Sequence, residues 1–372
     1  MIVFIAGTTA EFIKIAPVML ELDKRGISYQ LWSTAQHVEG VDKTLRDLQV
    51  RTPDIFLVSR HGKETIARVS QVPGWILDVT WTCIKNFSEL KNITRGGIVA
   101  VHGDTFTTVL GSILGRLTRA KVAHIEAGLR SGCWRSPFPE EINRRIVGRI
   151  SQIHFAPTLR EAGNLAKQAM RKGRKVIVTG ANTVVDSLRE ARDKKTSNSP
   201  SLPDKFGLVT LHRFELVKER DQYEAALRKL REFSRTLPMV VIVGQSERAR
   251  MDEYELSDVF DENFIPIDKL SYVNFQNILV KAQMVVTDSG GLQEECASLG
   301  IPCAVHRTHT ERHQGIGENI VLTGLDLDIL DEFLNNWEKY RVPSKLDEYH
   351  PSRIIVDEFE KLLTDAKKVT SR

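Results

Sequence analysis

The chain has 372 residues, of which 41% are hydrophobic and 27% charged. That is a globular composition on a chain too long for one ordinary core, and it suits two domains. Its 52 basic and 48 acidic residues leave a net charge of only +4, without the basic stripe that marks a nucleic-acid binder. Short clusters such as Arg171-Lys172-Gly173-Arg174-Lys175 read as a solvated helix end and loop.

No run of about 18 apolar residues occurs, so no membrane span is expected. The opening Met1-Ile2-Val3-Phe4-Ile5-Ala6-Gly7 lacks the basic start and long apolar run of a secretory signal. Cys83, Cys133, Cys296 and Cys303 show no metal or redox spacing. Neither Cys296 nor Cys303 is given a close partner, and free thiols in a cytoplasmic protein are expected.

In chain order, residues 2–6 read as a buried strand. Residues 11–24 carry apolar side chains at helical spacing, ended by Gly26. Residues 29–33, 97–102, 122–125 and 176–178 are further short apolar runs with helical patterns between most of them. Residues 193–203 are polar and rich in Ser and Pro, which reads as a linker. The alternation then restarts with strands at 207–210, 239–243, 284–287 and 303–306, a helix over 220–235 and another from Gly291. Such alternation predicts parallel sheets covered by helices on both faces. The expected fold is therefore α/β, with two Rossmann-like doubly wound domains facing a cleft. Residues 1–185 form the first domain and 186–350 the second. Residues 351–372 contain a final helix, over 354–368, that packs back on the first half.

In open α/β sheets ligands bind beyond the carboxyl ends of the strands. Asp104, Glu126 and Glu140 (followed by Glu141) fall at such places. Each has a plainer explanation: Asp104 before Thr105 as an N-cap, Glu140 as a charge favourable to the helix dipole. A carboxylate at Glu126, closing a buried strand, would be costly without a partner. Together they read as a carboxylate-lined crevice suited to general acid–base work. In the second half, Thr287-Asp288-Ser289-Gly290-Gly291-Leu292-Gln293-Glu294-Glu295 is a strand turning into a helix, or simply an ordinary turn of that kind. Ser289, Gly290 and Gly291 there would bring helix amides to a phosphate, and Glu295 would accept ribose hydroxyls. Lys14, His212-Arg213, Arg307 and Arg312 sit where a leaving diphosphate needs cations. The spacing His306-x2-His309-x3-His313 suggests a metal, but Arg307 and Arg312 in the same loop would repel one. Neither a dinucleotide-binding nor a P-loop glycine motif occurs, and no cofactor or metal is expected.

Taken together these residues resemble the UDP-N-acetylglucosamine 2-epimerase family, whose fold is similar to two-Rossmann-domain (GT-B) glycosyltransferases. The resemblance rests on Gly7-Thr8 with Glu11 and Lys14, Thr34-Ala35-Gln36-His37, His102-Gly103-Asp104-Thr105 and His124-Ile125-Glu126-Ala127-Gly128-Leu129-Arg130. It continues in Ser136-Pro137-Phe138-Pro139-Glu140-Glu141-Ile142-Asn143-Arg144, His154-Phe155-Ala156-Pro157-Thr158, Thr183-Val184-Val185-Asp186, His212-Arg213, the 288–295 run and Thr310-Glu311-Arg312. It implies interconversion of UDP-N-acetylglucosamine and UDP-N-acetylmannosamine, or a related UDP-2-acetamido sugar, by elimination and re-addition of UDP through a 2-acetamidoglucal. By similarity Asp104, Glu126 and Glu140 form the acid–base set and His212 faces the diphosphate. Ser289, Gly290, Gly291 and Arg307 hold phosphate and Glu295 the ribose, with Lys14, Arg144, Arg213 and Arg312 also binding substrate. A cytoplasmic homodimer serving polysaccharide biosynthesis is implied, with a UDP-sugar as partner and neither nucleic acid nor membrane.

The chain departs from the family pattern at Thr9-Ala10-Glu11, where Arg-Pro-Glu is usual, and at Phe214, which follows His212-Arg213 in place of a further arginine. Other functions weighed are a hydrolysing epimerase that releases UDP and N-acetylmannosamine, a glycosyltransferase of the same fold, and a binding-only paralogue that has lost the chemistry.

Overall fold

The structure, a computed structural model, describes residues 1–36, 41–59, 66, 69–132, 138–192, 194 and 200–370. His37, Cys133, Ser136, Pro137 and most of the expected linker (193 and 195–199) lie outside the described residues. Two compact units emerge: Met1–Glu190 with Tyr349–Arg372, and Ala191–Glu348.

The first unit holds seven strands: β1 (Ile2–Ala6), β2 (Tyr29–Ser33), β3 (Ile55–Phe56), β4 (Ile98–His102), β5 (Lys121–Ile125), β6 (Ile153–Ala156) and β7 (Lys175–Val178). The second holds β8 (Gly207–Thr210), β9 (Met239–Val243), β10 (Phe264–Asp268), β11 (Met284–Thr287), β12 (Cys303–Val305) and β13 (Ile320–Leu322). The orders are β3-β2-β1-β4-β5-β6-β7 and β10-β9-β8-β11-β12-β13, parallel throughout. Parallel neighbours need crossover helices. Those that matter below are α1 (Thr9–Lys24), α2 (Phe106–Leu117), α3 (Glu140–Ile150), α4 (Tyr272–Leu279), α5 (Gly290–Leu299) and α6 (Pro351–Thr370).

Side chains alternate across a strand, so a strand covered on both faces must be apolar at every position. In the second unit Leu208, Val240, Val285 and Val305 pack into one cluster. Their neighbours Val209, Val241, Val286 and Ala304 pack into another. This is the double winding expected from unbroken apolar runs. Strands β3, β6, β10 and β13 were not among the runs named from sequence. β3 is two residues long, and β10 carries Pro266 and ends at Asp268, so neither makes a long apolar run.

Helix α6 belongs to the first unit. Phe359 stacks edge-on against Phe4 and Phe155, Arg25 bonds Asp357 and Glu360, and Lys175 pairs with Glu358 at 2.7 Å.

In each sheet the order reverses beside its first strand, between β1 and β4 and between β8 and β11. At such a switch point the two flanking loops diverge to opposite faces and leave a crevice at the carboxyl ends.

Candidate active site

In the first unit the loops at the switch point are Gly7-Thr8 and Gly103-Asp104-Thr105. Glu11, in the first turn of α1, joins them. Its Oε2 accepts the amides of Gly7 and Thr8, both at 2.9 Å. Its Oε1 accepts the Thr105 hydroxyl at 2.7 Å. The Thr8/Glu11 pair is a capping box, and its Ser/Thr-x-x-Glu spacing was legible in the sequence. Burial pushes the Glu11 carboxyl above its ordinary value, against the lowering effect of its hydrogen bonds, led by the Gly7 amide.

One turn further along α1, Lys14 places its Nζ 3.1 and 3.0 Å from the two carboxylate oxygens of Glu126. His102 Nε2 lies 3.2 Å from Glu126 Oε2. These contacts supply the partner that a buried carboxylate at the end of β5 requires. Lys14, expected beside a leaving diphosphate, is thus engaged with Glu126. Glu126 itself takes φ 64°, a left-handed backbone that costs a non-glycine residue about 1–2 kcal/mol and concentrates at functional sites.

Asp104 is not the N-cap of α2. Thr105 is, its hydroxyl accepting the Thr108 amide. A threonine in the next position does the capping, so the Asp104 carboxylate is left to Arg144, whose Nε and Nη2 meet Oδ2 at 2.7 and 2.6 Å. Asn143 Nδ2 donates to the Asp104 carbonyl at 2.8 Å. Glu140 opens α3 one turn before Arg144, on the same helical face, where i and i+4 side chains are neighbours. The fold thus brings Glu126 beside the Gly103-Asp104 loop, its Oε2 3.6 Å from where a Cβ on Gly103 would be, and sets Glu140 at the head of α3. Behind them His124 Nε2 donates to the Gly103 carbonyl, 2.8 Å away. Burial pulls its imidazole down to about 4.

In the second unit the switch-point loops are Leu211-His212-Arg213 after β8 and Asp288-Ser289 after β11. Ser289 caps α5, its hydroxyl accepting the Leu292 amide. A Cβ on Gly291 would meet nothing closer than Ser289 Oγ at 3.9 Å, whereas one on Gly290 would have Glu311 Oε1 at 3.6 Å; the room at this helix N-terminus, where amides and dipole favour an anion, is therefore on the Gly291 side. Glu295 Oε1 accepts the Tyr272 hydroxyl at 3.0 Å and Gln276 Nε2 at 2.8 Å, both from α4. Arg312 is buried against Glu294 at 3.0 Å, and its Cγ lies 3.2 Å from where a Cβ on Gly290 would be. Arg307 lies 3.5 Å from Glu311. These two arginines are therefore matched by carboxylates rather than standing alone in their loop. His306 faces inward, its Nδ1 2.8 Å from the Thr323 hydroxyl.

Sequence reasoning passed over Asp288 as a functional group. It is fully buried, and its Oδ2 accepts the amides of both His212 and Arg213 at 2.8 Å. It also gave Cys296 no partner, yet the two thiols, both free, are hydrogen-bond neighbours, and burial first, then the Cys303 side chain, raises the Cys296 thiol well above its ordinary value. Residues 296 and 303 lie on α5 and β12, and only the fold brings them together. Among the described residues no group of three or more His, Cys, Asp or Glu is placed to hold a metal ion, and no helix is long and apolar enough to cross a membrane.

Residues 20–337 match the family model described as UDP-N-acetylglucosamine 2-epimerase. Over 368 residues the chain is 34% identical to the UDP-N-acetylglucosamine 2-epimerase of Bacillus subtilis (strain 168), covering 95% of this chain and 93% of that one. Among solved structures, the UDP-N-acetylglucosamine 2-epimerase of Neisseria meningitidis bound to UDP-N-acetylglucosamine matches with a TM-score of 0.80 and 29% identity, over 97% of this chain and 99% of that one. The enzyme of Methanocaldococcus jannaschii in complex with UDP-N-acetylglucosamine and UDP matches with a TM-score of 0.73 and 27% identity, over 95% and 98% of the two chains.

Proposed function

Because the chain belongs to the UDP-N-acetylglucosamine 2-epimerase family, and is thus an epimerase acting in the isomerase class, we propose that it interconverts UDP-N-acetylglucosamine and UDP-N-acetylmannosamine by anti elimination and re-addition of UDP. A proton leaves C2, the bond between C1 and the diphosphate oxygen breaks, and UDP departs with the electron pair to leave a 2-acetamidoglucal. A proton then returns to the opposite face of C2 as the diphosphate oxygen closes on C1.

The observation that carries this reading is the way the first unit holds its carboxylates. Proton abstraction from a weakly acidic carbon needs an ionised base and a separate donor, both held in place. Glu126 is buried yet charge-matched by Lys14 at 3.0 Å. Asp104 keeps 22% of its side chain exposed while Arg144 fixes it, and Glu140 stands at the head of α3. In this proposal these three exchange the C2 proton and stabilise positive charge at C1.

The diphosphate is assigned to the second unit by elimination as well as by fit. The amides of Gly7 and Thr8, which open α1, are occupied by the Glu11 carboxylate, so that turn presents negative charge and rejects phosphate. The turn at Ser289-Gly290-Gly291 has room beside Gly291, with Arg213 and Arg307 as the cations, His212 next to them and Glu295 for the ribose. Incubation with UDP-N-acetylglucosamine in deuterated water, followed by NMR, tests the whole reading. Deuterium at C2 with the UDP-sugar retained is expected. Accumulating UDP and free sugar would mean hydrolysis, and an unchanged spectrum would overturn the substrate assignment.

A further inference from the structure

Asp288 closes β11 in the middle of the second unit's switch point. It is completely buried, and a buried carboxylate needs something to balance it. One oxygen is well served: Oδ2 accepts the amides of His212 and Arg213, each at 2.8 Å. The other is not. Among the described residues Oδ1 has no hydrogen-bond partner, and its neighbour is His212 Nδ1, 3.4 Å away. The backbone on both sides is fixed. Asp288 N donates to the Thr210 carbonyl at 3.2 Å. The Thr210 and Thr287 hydroxyls meet at 2.6 Å, and Ser289 N donates to the Thr287 hydroxyl at 3.0 Å. The carboxylate thus stands on a rigid frame with one empty lone pair aimed at the Nδ1 edge of an imidazole whose side chain is otherwise 51% exposed.

The geometry points to Asp288 as a positioning residue for His212: its Oδ1 accepts the Nδ1–H, so that the opposite nitrogen, Nε2, faces the diphosphate of the UDP-sugar and donates to it once the ring is the imidazolium. An orphaned buried acceptor is costly, and a ring turned to donate Nδ1–H relieves that cost. A histidine's working nitrogen is commonly set by the hydrogen bond its other nitrogen makes. The same carboxylate holds the His212-Arg213 backbone, so it fixes ring position and ring tautomer together. Its negative charge also stabilises the imidazolium as negative charge grows on the departing diphosphate. The inference rests on the reading above that His212 faces the diphosphate.

The test uses the full chain and the variants Asp288→Asn and His212→Gln. Asparagine can still accept both backbone amides through Oδ1, so the loop is kept, but its amide nitrogen then faces Nδ1 as a donor. With 15N-labelled histidine, His212 assigned by its loss in His212→Gln, neutral His212 in the wild type is expected to carry its proton on Nδ1, and in Asp288→Asn on Nε2. Epimerisation of UDP-N-acetylglucosamine by Asp288→Asn should fall about 10–100-fold in kcat, the usual loss when such a partner is removed, with KM little changed. In a His212→Gln background the same substitution should cost no more than about twofold further, because residues that act as a unit are not additive.

A wild-type His212 protonated on Nε2 overturns the proposal, and needs no variant to fold. Losses that multiply in the double variant overturn it too. A low rate for His212→Gln beside a normal Asp288→Asn overturns the positioning role alone. A normal rate for His212→Gln overturns the reading of His212 and the proposal with it.

Discussion

The core of the first unit should be acid-sensitive, through two histidines that the fold places side by side on β5 and β6. His124 and His154 are paired in register, and both are buried. Burial chiefly pulls His124 down to about 4. Burial, then the His124 neighbour and Arg174, pull His154 down to about 3. The unfolded chain takes up these protons near 6.5, so a depressed imidazole contributes stability that is complete above pH 6.5 and is lost as pH falls toward the folded value. Each unit of difference is worth about 1.4 kcal/mol. At pH 5 each histidine has cost about 2 kcal/mol and the pair about 4, a large share of a typical stability of about 5–15 kcal/mol. Glu11 and Asp288, whose carboxyls are raised, act with the opposite sign, since the folded state holds their protons first. The histidine contribution is therefore isolated by His154→Leu. Urea unfolding at pH 7.5 and pH 5, followed by the fluorescence of Trp32 and Trp75, which are buried in the first unit, should show wild type losing about 2 kcal/mol more than the variant on acidification. An undiminished loss in His154→Leu would refute the reasoning.

Glu126→Gln and Glu140→Gln should each lower turnover roughly 10²–10⁴-fold while UDP affinity, read by calorimetry, stays near normal; near-normal rates in both would remove these residues from the acid–base set. Ser289→Trp and Glu295→Ala should each weaken UDP, the first by filling the space beside Gly291, the second by removing the carboxylate that Tyr272 and Gln276 orient and that is proposed to take the ribose. Unchanged calorimetric affinity in both would place the nucleotide elsewhere. Gly128→Ala should destabilise by more than the roughly 1–2 kcal/mol of a left-handed alanine, because φ is 91° and the new Cβ would sit 2.2 Å from the Glu161 carbonyl oxygen; an unaltered melting temperature would contradict that contact.

Much of this was legible before the fold was known, for reasons that differ between residues. The buried parallel strands show as unbroken apolar runs because both faces are covered. Glu126 stands out because a carboxylate directly after such a run needs a partner. The partner's identity is another matter: Lys14 lies 112 positions away in the chain, and only the adjacency of β1 and β4 and of β4 and β5 brings them together. Asp104 was ambiguous because Asp and Thr both cap helices, and sequence cannot say which of two adjacent residues does so. Asp288 was hidden for the opposite reason. An aspartate before a Ser-Gly-Gly turn reads as turn chemistry, and its use as a clamp on a loop 76 positions earlier exists only in three dimensions.

The two units solve one physical problem by mirrored means. At a switch point two loops leave adjacent strands for opposite faces of the sheet, and any side chains they carry are only as well placed as the backbone between them. In the first unit a carboxylate from the β1 side, Glu11, reaches across to Thr105 after β4. In the second a carboxylate from the β11 side, Asp288, reaches across to His212 and Arg213 after β8. Both are buried and both are pushed toward protonation by that burial, a cost that backbone amides offset in each case. The consequences for ligands are opposite. Glu11 occupies the amides at the head of α1, the place where a phosphate would otherwise bind. Asp288 occupies amides on the loop facing the helix and leaves the head of α5 open. Which side of each switch point supplies the clamp thus decides whether the helix amides of a unit are taken by the chain's own carboxylate, as at α1, or left for a ligand, and the proposed division of labour between the units rests on that difference.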